Sequence, residues 1–299
     1  QAPNPPEGAI LYYSLSAKPA TDITLDVLDA RGNVVRHLTS AAPTPWREAA
    51  RAPMERFWLA QPSGLPANIG LNRATWDLRY DPPPAFAHSF VFNGNPGSTP
   101  AEPEGALAMA GVYHVRLTVD GKQYTQPLTV RRDPRSRVAP AALAAQHALL
   151  MRLSSGLQAT WTDFKPVAAL RHAVARIAPD DTVSEVGKAA KALGTRLDSI
   201  AGDSLGEARK VWDARPAAWS FVDLNGEFSI ELTAQDNADH APTQAMLAVA
   251  RSSCDALQKL VDRWNHVVRV DVPAFNRTLQ SHEVATLVTP AAREKLCAP

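Results

Sequence analysis

Apolar and polar residues alternate with a period of two along much of the first half of the chain, which predicts short β-strands. In DITLDVLDARGNVVRHL, Ile23, Leu25 and Val27 share one face, ARGN supplies a turn, and residues 34–38 form the return strand. In GVYHVRLTVDGKQYTQPLTV, the dipeptide at 120–121 is Asp-Gly. This pair favours a two-residue type I′ turn, because both central positions need positive φ.

The stretch GLNRATWDLRYDPP shows the same alternation and predicts another core strand. Trp76, Leu78 and Tyr80 fall on one face, which we expect to be buried. Asp77 and Arg79 fall on the other face, where we expect them to be exposed to water, because charged residues at this spacing usually form the solvated side of a strand.

The period changes to 3.6 after VRRDPRSRVAP, and the second half of the chain predicts helices. A proline at the first turn suits a helix start, since the missing N–H has no partner there. Pro166 is expected to kink or end the first helix. The predicted helices start at Pro140, run over 183–200 and 207–232, start again at Pro242, and end with a short helix after Pro273.

These patterns predict two domains. The first is an all-β sandwich of the immunoglobulin-like or fibronectin-like type over residues 1–133, with residues 9–15 as its first strand and two long loops. The second is an all-α antiparallel helical bundle over residues 134–299. The arginine-rich RRDPRSR, residues 131–137 across this boundary, is expected to brace the connection between them.

Length and charge narrow the class of protein. A chain of 299 residues exceeds the usual size of a single core. Its formal net charge of +1 gives no basis for nucleic-acid binding. No apolar run approaches the ~20 residues that cross a bilayer. The chain starts at Gln1 without a charged-then-apolar leader, which predicts a processed or excised segment.

Residues that could carry chemistry are scattered. The two cysteines, Cys254 and Cys297, are too few for a disulfide framework or a four-ligand zinc site. They predict either one bridge between the C-terminal tail and the last long helix, or two free thiols. The eight histidines show no metal-binding spacing. We therefore expect no metal and no cofactor.

Glycoside hydrolysis needs two carboxyl groups flanking the scissile bond. The acidic residues of the first half occur in contexts typical of strand edges and turns, so we expect no catalytic pair and no enzymatic activity in this chain. The residues considered were Asp22, Asp26, Asp29, Glu102 and Glu104.

Aromatic residues in the two long loops predict an interaction surface, because large apolar side chains are costly to expose. They either fold back over the sandwich, dock onto another domain or subunit, or stack on sugars. The candidates are Trp46, Phe57, Trp58, Phe86, Phe90 and Phe92.

Four stretches together resemble a known family: ITLDVLDARGNVVR, GLNRATWDLRY, AGVYHVRLTVDGKQYTQPLTVRRDPR and ADHAPTQAMLAVARSSCDALQKLVDRWNHV. The combination is similar to the C-terminal region of secreted bacterial proteins built on a sortilin-like, BNR-repeat β-propeller, which are described as glycosyl hydrolases. In that family, the propeller precedes an immunoglobulin-like sandwich and helices.

The resemblance implies a non-catalytic accessory region that supports, orients or oligomerises the propeller, in the periplasm or outside the cell. Its partners would be the N-terminal propeller or a second subunit. The propeller's Asp-box repeat, Ser-x-Asp-x-Gly-x-Thr-Trp, does not occur in this sequence. The most similar stretch is Ala74-Thr75-Trp76, which lacks the Asp and the turn glycine. A carbohydrate-binding module is the alternative, and an autonomous glycoside hydrolase would need a carboxylate pair that the sequence does not show.

Overall fold

The structure is a computed structural model that describes residues 8–42, 55–60, 64–86, 94–100, 103–177, 181, 183–202 and 216–294. Its strands are β1 Ala9–Leu15, β2 Thr24–Leu28, β3 Val34–Thr39, β4 Gly70–Trp76, β5 Gly111–Val119 and β6 Lys122–Val130. Its helices are α1 Pro140–Ala175, α2 Glu185–Ala201, α3 Phe221–Gln235, α4 Gln244–His266 and α5 Val272–Ser281. A short 3-10 helix covers Arg56–Trp58, and a π-helical turn, Val267–Asp271, joins α4 to α5.

The strands form two antiparallel sheets. β1 pairs with β4 in a two-stranded sheet, and the other four strands follow the order β3-β2-β5-β6. Asp120 and Gly121, between β5 and β6, have φ values of 46° and 78°, which confirms the predicted positive-φ hairpin turn.

The predicted fold class is wrong: the described chain is a mixed α and β structure and not a closed all-β sandwich followed by an all-α bundle. The two sheets are small and open. β4 ends at Trp76, and Leu78 takes a left-handed φ of 60°, so the alternation that predicts a strand through Tyr80 does not continue as a strand. Beyond it, Arg79 makes only an isolated bridge to Leu107.

The chain divides into two compact units, and each combines separate segments. Unit 1 comprises the described residues of Gln1–Pro82, Phe90–Met151 and Gln235–Pro242, and unit 2 those of Pro83–Ser89, Arg152–Ala234 and Thr243–Pro299. The first turns of α1 therefore belong with the strands, as does the segment Gln235–Pro242. The predicted boundary between 133 and 134 stays a prediction.

The core of unit 1 is apolar and takes residues from both sheets. Trp76 is fully buried, packs edge-on against Tyr113 with ring centroids 5.2 Å apart, and donates its indole N–H to the Arg79 carbonyl at 2.9 Å. Ile23 and Val27 are also fully buried. The alternation in β2 thus has the predicted cause, since every second side chain faces this core.

Unit 2 consists largely of helices. α1 continues past Pro166 to Ala175. The proline therefore does not end the helix, which was one of the two predicted outcomes. α2 starts at Glu185, two residues after the predicted start. It is capped by Ser184, whose hydroxyl accepts a hydrogen bond from the Gly187 N–H at 3.0 Å. α3 is buried along most of its length.

α4 starts at Gln244, two residues after the predicted start at Pro242. Its N-cap is Thr243, whose hydroxyl accepts from the Met246 N–H at 3.2 Å. Among the residues described, no helix has the length and hydropathy that a bilayer span requires.

Candidate functional site

Half of the predicted aromatic surface lies within the described residues. Trp46, Phe90 and Phe92 lie outside them. Phe57 is 64% exposed, and its ring meets that of Trp58 edge-on, with centroids 5.0 Å apart and planes at 76°. The Phe57 carbonyl accepts a hydrogen bond from Gly97, which fixes the backbone beneath the exposed ring.

Phe86 packs within unit 2 instead of projecting into solvent. Its ring lies 4.7 Å from those of both Trp161 and Phe164 on α1. Its backbone N–H donates to the Asn225 side chain at 2.9 Å, and the Asn225 amide donates to the Pro84 carbonyl at 3.2 Å. Phe86 therefore acts as an anchor between its own segment and the helices of unit 2.

The outer face of the β1–β4 sheet presents an apolar surface that sequence reasoning missed. Large apolar side chains are exposed there: Ile10 at 42%, Tyr12 at 62% and Leu71 at 74%, with Ile69, 67% exposed, just before β4. We call these four residues the apolar face; the same side of the sheet also carries the polar Ser14, Arg73 and Thr75. The signal in the sequence was the run AILYY, where apolar residues occupy both faces of β1. A strand with one solvated face would alternate with polar residues.

The strand register brings these side chains together. Tyr12 lies opposite Arg73, and Leu71 lies opposite Ser14, so Tyr12 and Leu71 are diagonal neighbours across the sheet. Within the described residues, β1 and β4 pair only with each other, so each also has an edge without a strand neighbour. An apolar sheet face with open edges is the kind of surface on which another protein packs.

Arg79 is largely buried, whereas the alternation predicted that it is exposed to water. Its guanidinium forms an ion pair with Asp236 and donates to the Gly105 carbonyl at 2.9 Å, and its Nε lies 3.7 Å from Glu104 Oε1. The Arg79 and Asp236 side chains are only 19% and 14% exposed. Burial raises the pKa of Asp236, and the charge and hydrogen bond of Arg79 oppose that shift. Asp77, as expected, is exposed.

His147, at the start of α1, lies in the same part of unit 1. Its Nδ1 is 3.0 Å from the Leu107 carbonyl, which can only accept, so Nδ1 carries the proton. The ring lies 5.5 Å from that of Tyr80. Burial lowers the pKa of His147, although the Leu107 contact and the charge of Asp236 act in the opposite direction. The ring is therefore neutral near neutral pH.

Gln146 fastens the segment Gln235–Pro242 to α1. Its amide donates to the carbonyls of Gln235 and Ala238 at 3.0 and 2.8 Å, and its oxygen accepts from the His240 N–H at 3.3 Å. With the Arg79–Asp236 pair, these contacts hold the segment from two sides. The described contacts of the cluster thus form a structural clamp on this segment.

A second charged cluster lies across three neighbouring strands of the four-stranded sheet. Asp26 on β2 is opposite His37 on β3 and Arg116 on β5. Its carboxylate is 2.6 Å from His37 Nδ1 and accepts from Arg116 at 2.9 Å. Burial acts to raise the pKa of Asp26, but the hydrogen bonds from Arg116 and His37 outweigh it and hold the pKa below its ordinary value.

The other acidic candidates have local roles where they are described. Asp29 accepts from Arg31 and Asn33 and shapes the turn between β2 and β3. Asp22 accepts from the Ser40 hydroxyl at 3.0 Å. Glu104 lies beside Arg79, and Glu102 lies outside the described residues. No group of three or more His, Cys, Asp or Glu side chains in the described ranges is arranged to hold a metal ion.

The arginine-rich connection is held partly by its own residues. Arg135 forms an ion pair with Asp133 at 2.7 Å, and Arg132 donates to the Ser136 carbonyl at 3.4 Å. Further along the chain, Cys254 on α4 is disulfide-bonded, which agrees with the bridge and not with the free-thiol alternative. Cys297 lies outside the described residues.

Comparison with known proteins gives no relative: no protein family, no curated protein and no solved structure matches the chain.

Proposed function

We propose that this chain is a non-catalytic accessory region that packs against a folded partner through the apolar face. The partner in this proposal is a domain that precedes the chain in a longer polypeptide, of the β-propeller type that the sequence resemblance implies. The observation that carries the proposal is the exposure of Ile10, Tyr12 and Leu71 on one side of a two-stranded sheet, with Ile69 exposed just before β4.

Physical chemistry supports a protein partner for this face. Covering exposed apolar surface gains ~25 cal/mol per Å², so these partly exposed side chains give a docking surface a driving force. β1 starts at Ala9, close to the N-terminal end of the chain. A preceding domain would be tethered beside the face at a high effective concentration, which makes a modest interface sufficient.

The disulfide at Cys254 supports the proposed location of the protein. Disulfides persist in oxidising compartments such as the bacterial periplasm and the extracellular space, and they are rare in the cytosol. A periplasmic or secreted protein is therefore part of the proposal.

The test starts with the natural gene product, whose intact mass and upstream sequence show whether a folded domain precedes Gln1. That domain, produced separately, should bind the chain in calorimetry or size-exclusion chromatography. Leu71→Asp should weaken binding by about tenfold or more, because it places a charge in an apolar interface. Val112→Asp is the matched control, since Val112 is an exposed strand valine on the other sheet. A product without a preceding domain, or equal binding by both variants, would refute the proposal.

Carbohydrate binding is the second candidate, and the exposed ring of Phe57 beside Trp58 favours it, since aromatic faces stack on sugars. The edge-on arrangement leaves these rings at 76° to each other, so they do not form one flat platform. Titration with glycans should show weak binding that Phe57→Ala abolishes, and a chain that binds no glycan excludes this function.

A further inference from the structure

A cavity of about 270 Å³ lies in unit 2, lined by residues of α2, α4 and the π-helical turn. Its charged and titratable lining consists of Arg196, Arg263, His266 and Asp271. Two guanidiniums and an imidazole thus face a single carboxylate. The cavity is large enough for a phosphate or a monosaccharide.

The π-helical turn accounts for the position of Asp271. One turn of π-helix adds a residue, which shifts every later side chain around the helix axis. Asp271 therefore faces the cavity, while its neighbour Val270 is exposed. Such single π-turns are found frequently at functional sites.

Asp271 neutralises one of the two guanidiniums. It forms an ion pair with Arg196, and its Oδ1 also lies 4.0 Å from His266 Nε2. Its second oxygen, Oδ2, is buried and accepts no hydrogen bond from the residues that the structure describes. The carboxylate thus pairs with Arg196 and is not within ion-pair distance of Arg263.

Among the described residues, Arg263 has no counter-charge. It donates to the Trp219 carbonyl at 2.8 Å, to the Ser199 carbonyl at 3.0 Å and to the Ser199 hydroxyl at 2.9 Å. These neutral acceptors hold the guanidinium in place, and no carboxylate of the described chain forms an ion pair with it. A guanidinium has five N–H donors, so donors remain for a ligand. Burial lowers the pKa of Arg263, but an arginine stays charged.

We propose that this cavity is a binding site for the oxyanion group of a small molecule, a phosphate or a carboxylate. Arg263 is the principal ligand of the anion, and the imidazole of His266, which also lines the cavity, can donate a further hydrogen bond. A fixed, part-buried guanidinium with unused donors is the feature that recognises such groups. The site would work independently of the apolar face, because its residues lie on α2, α4 and the π-helical turn.

Calorimetric titration of the whole chain tests the site at constant ionic strength, because salt screens charged ligands. Inorganic phosphate and D-glucuronate are the two probes, and they distinguish a phosphate from a carboxylate ligand. We expect saturable binding of at least one of them at a single site. Arg263→Gln should weaken it about tenfold, the value of roughly one charge-assisted hydrogen bond.

Matched variants separate the site from general charge effects. Arg269→Gln removes an exposed arginine of the same turn, which does not line the cavity. His266→Glu places a negative charge at the cavity, and Val270→Glu makes the same addition on the exposed side of the turn. Because the His266 side chain is largely exposed, His266→Glu decides the question even when Arg263→Gln does not fold.

The proposed anion site is supported when Arg263→Gln or His266→Glu abolishes or strongly weakens binding and both controls bind like the natural protein. The proposal is refuted when neither probe shows saturable binding, or when Arg269→Gln and Val270→Glu weaken binding as much as the cavity variants.

Discussion

Arg79→Met is the substitution that tests the clamp of unit 1. The change keeps a long apolar stem but removes the guanidinium that contacts Asp236 and Gly105. Asp236, which is 14% exposed, would then be left as a nearly buried carboxylate without its cation. The segment Gln235–Pro242 would lose its ion pair to the rest of the unit.

Removing one partner of a buried ion pair costs about 3–5 kcal/mol. Both side chains keep some contact with water, so we expect the lower end, about 3 kcal/mol. Asp236→Asn should cost less, because the amide keeps the shape and still accepts from Arg79. The double variant should be less destabilised than the sum of the single variants, with a coupling of about 1–3 kcal/mol.

Native-state hydrogen exchange is the appropriate assay, because two compact units do not guarantee one two-state transition. A loss of 3 kcal/mol lowers amide protection about a hundredfold, and the loss should fall on β4 and β5 while α3 keeps most of its protection. Arg135→Gln is the control, since the Arg135–Asp133 pair is exposed and should contribute little to stability. The reasoning fails when Arg79→Met is as mild as this control, or when protection is lost evenly in both units.

Three further predictions follow from titratable and sulfur-containing side chains. The folded-state pKa of Asp26 is below its ordinary value of 3.8, so its ion pairs stabilise the fold above that pH and lose their effect as the pH falls. Arg116→Met should therefore move the midpoint of acid unfolding, followed by circular dichroism, to higher pH. An unchanged midpoint would contradict the assignment. Burial raises the pKa of Tyr113 to about 12, so the unfolded chain loses this proton first and stability falls as the pH rises from 10 towards 12. In a spectroscopic titration of the tyrosines, Tyr113→Phe should remove the step that titrates at the highest pH. Tyr124→Phe, which changes an exposed ring, should keep that step. Peptide mapping without reductant should recover the Cys254 peptide linked to the Cys297 peptide, and reduction should lower the thermal midpoint; a freely alkylated Cys254 would show that the bridge is absent.

Local sequence signals predicted the local structure well. The hairpin of β5 and β6 needs only its alternating strands and the Asp120-Gly121 turn, which are neighbours in sequence. The cap and span of α2 likewise follow from Ser184 and the apolar spacing of the next turns. In each case, the residues that determine the element lie within a few positions of one another.

The arrangement of charged residues could not be predicted in the same way. Arg79 and Asp236 are separated by 157 positions, and nothing in either neighbourhood indicates the other. The alternation through Tyr80 was misleading, because Leu78 adopts a left-handed conformation that propensity does not favour for leucine. The sequence analysis could not show where the ring of Phe86 packs, because its contacts Trp161 and Phe164 occur far along the chain.

The contribution of Gln235–Pro242 to unit 1 has a consequence for synthesis on the ribosome. Arg79 and the strands around it emerge long before Asp236, and 157 residues must be translated before the clamp can close. At ~5–20 residues per second, this delay is roughly 8–30 seconds. During that time, Arg79 lacks its buried partner Asp236, and unit 1 is incomplete. We therefore expect chaperones to engage the growing chain before residue 236 has been synthesised and to release it afterwards.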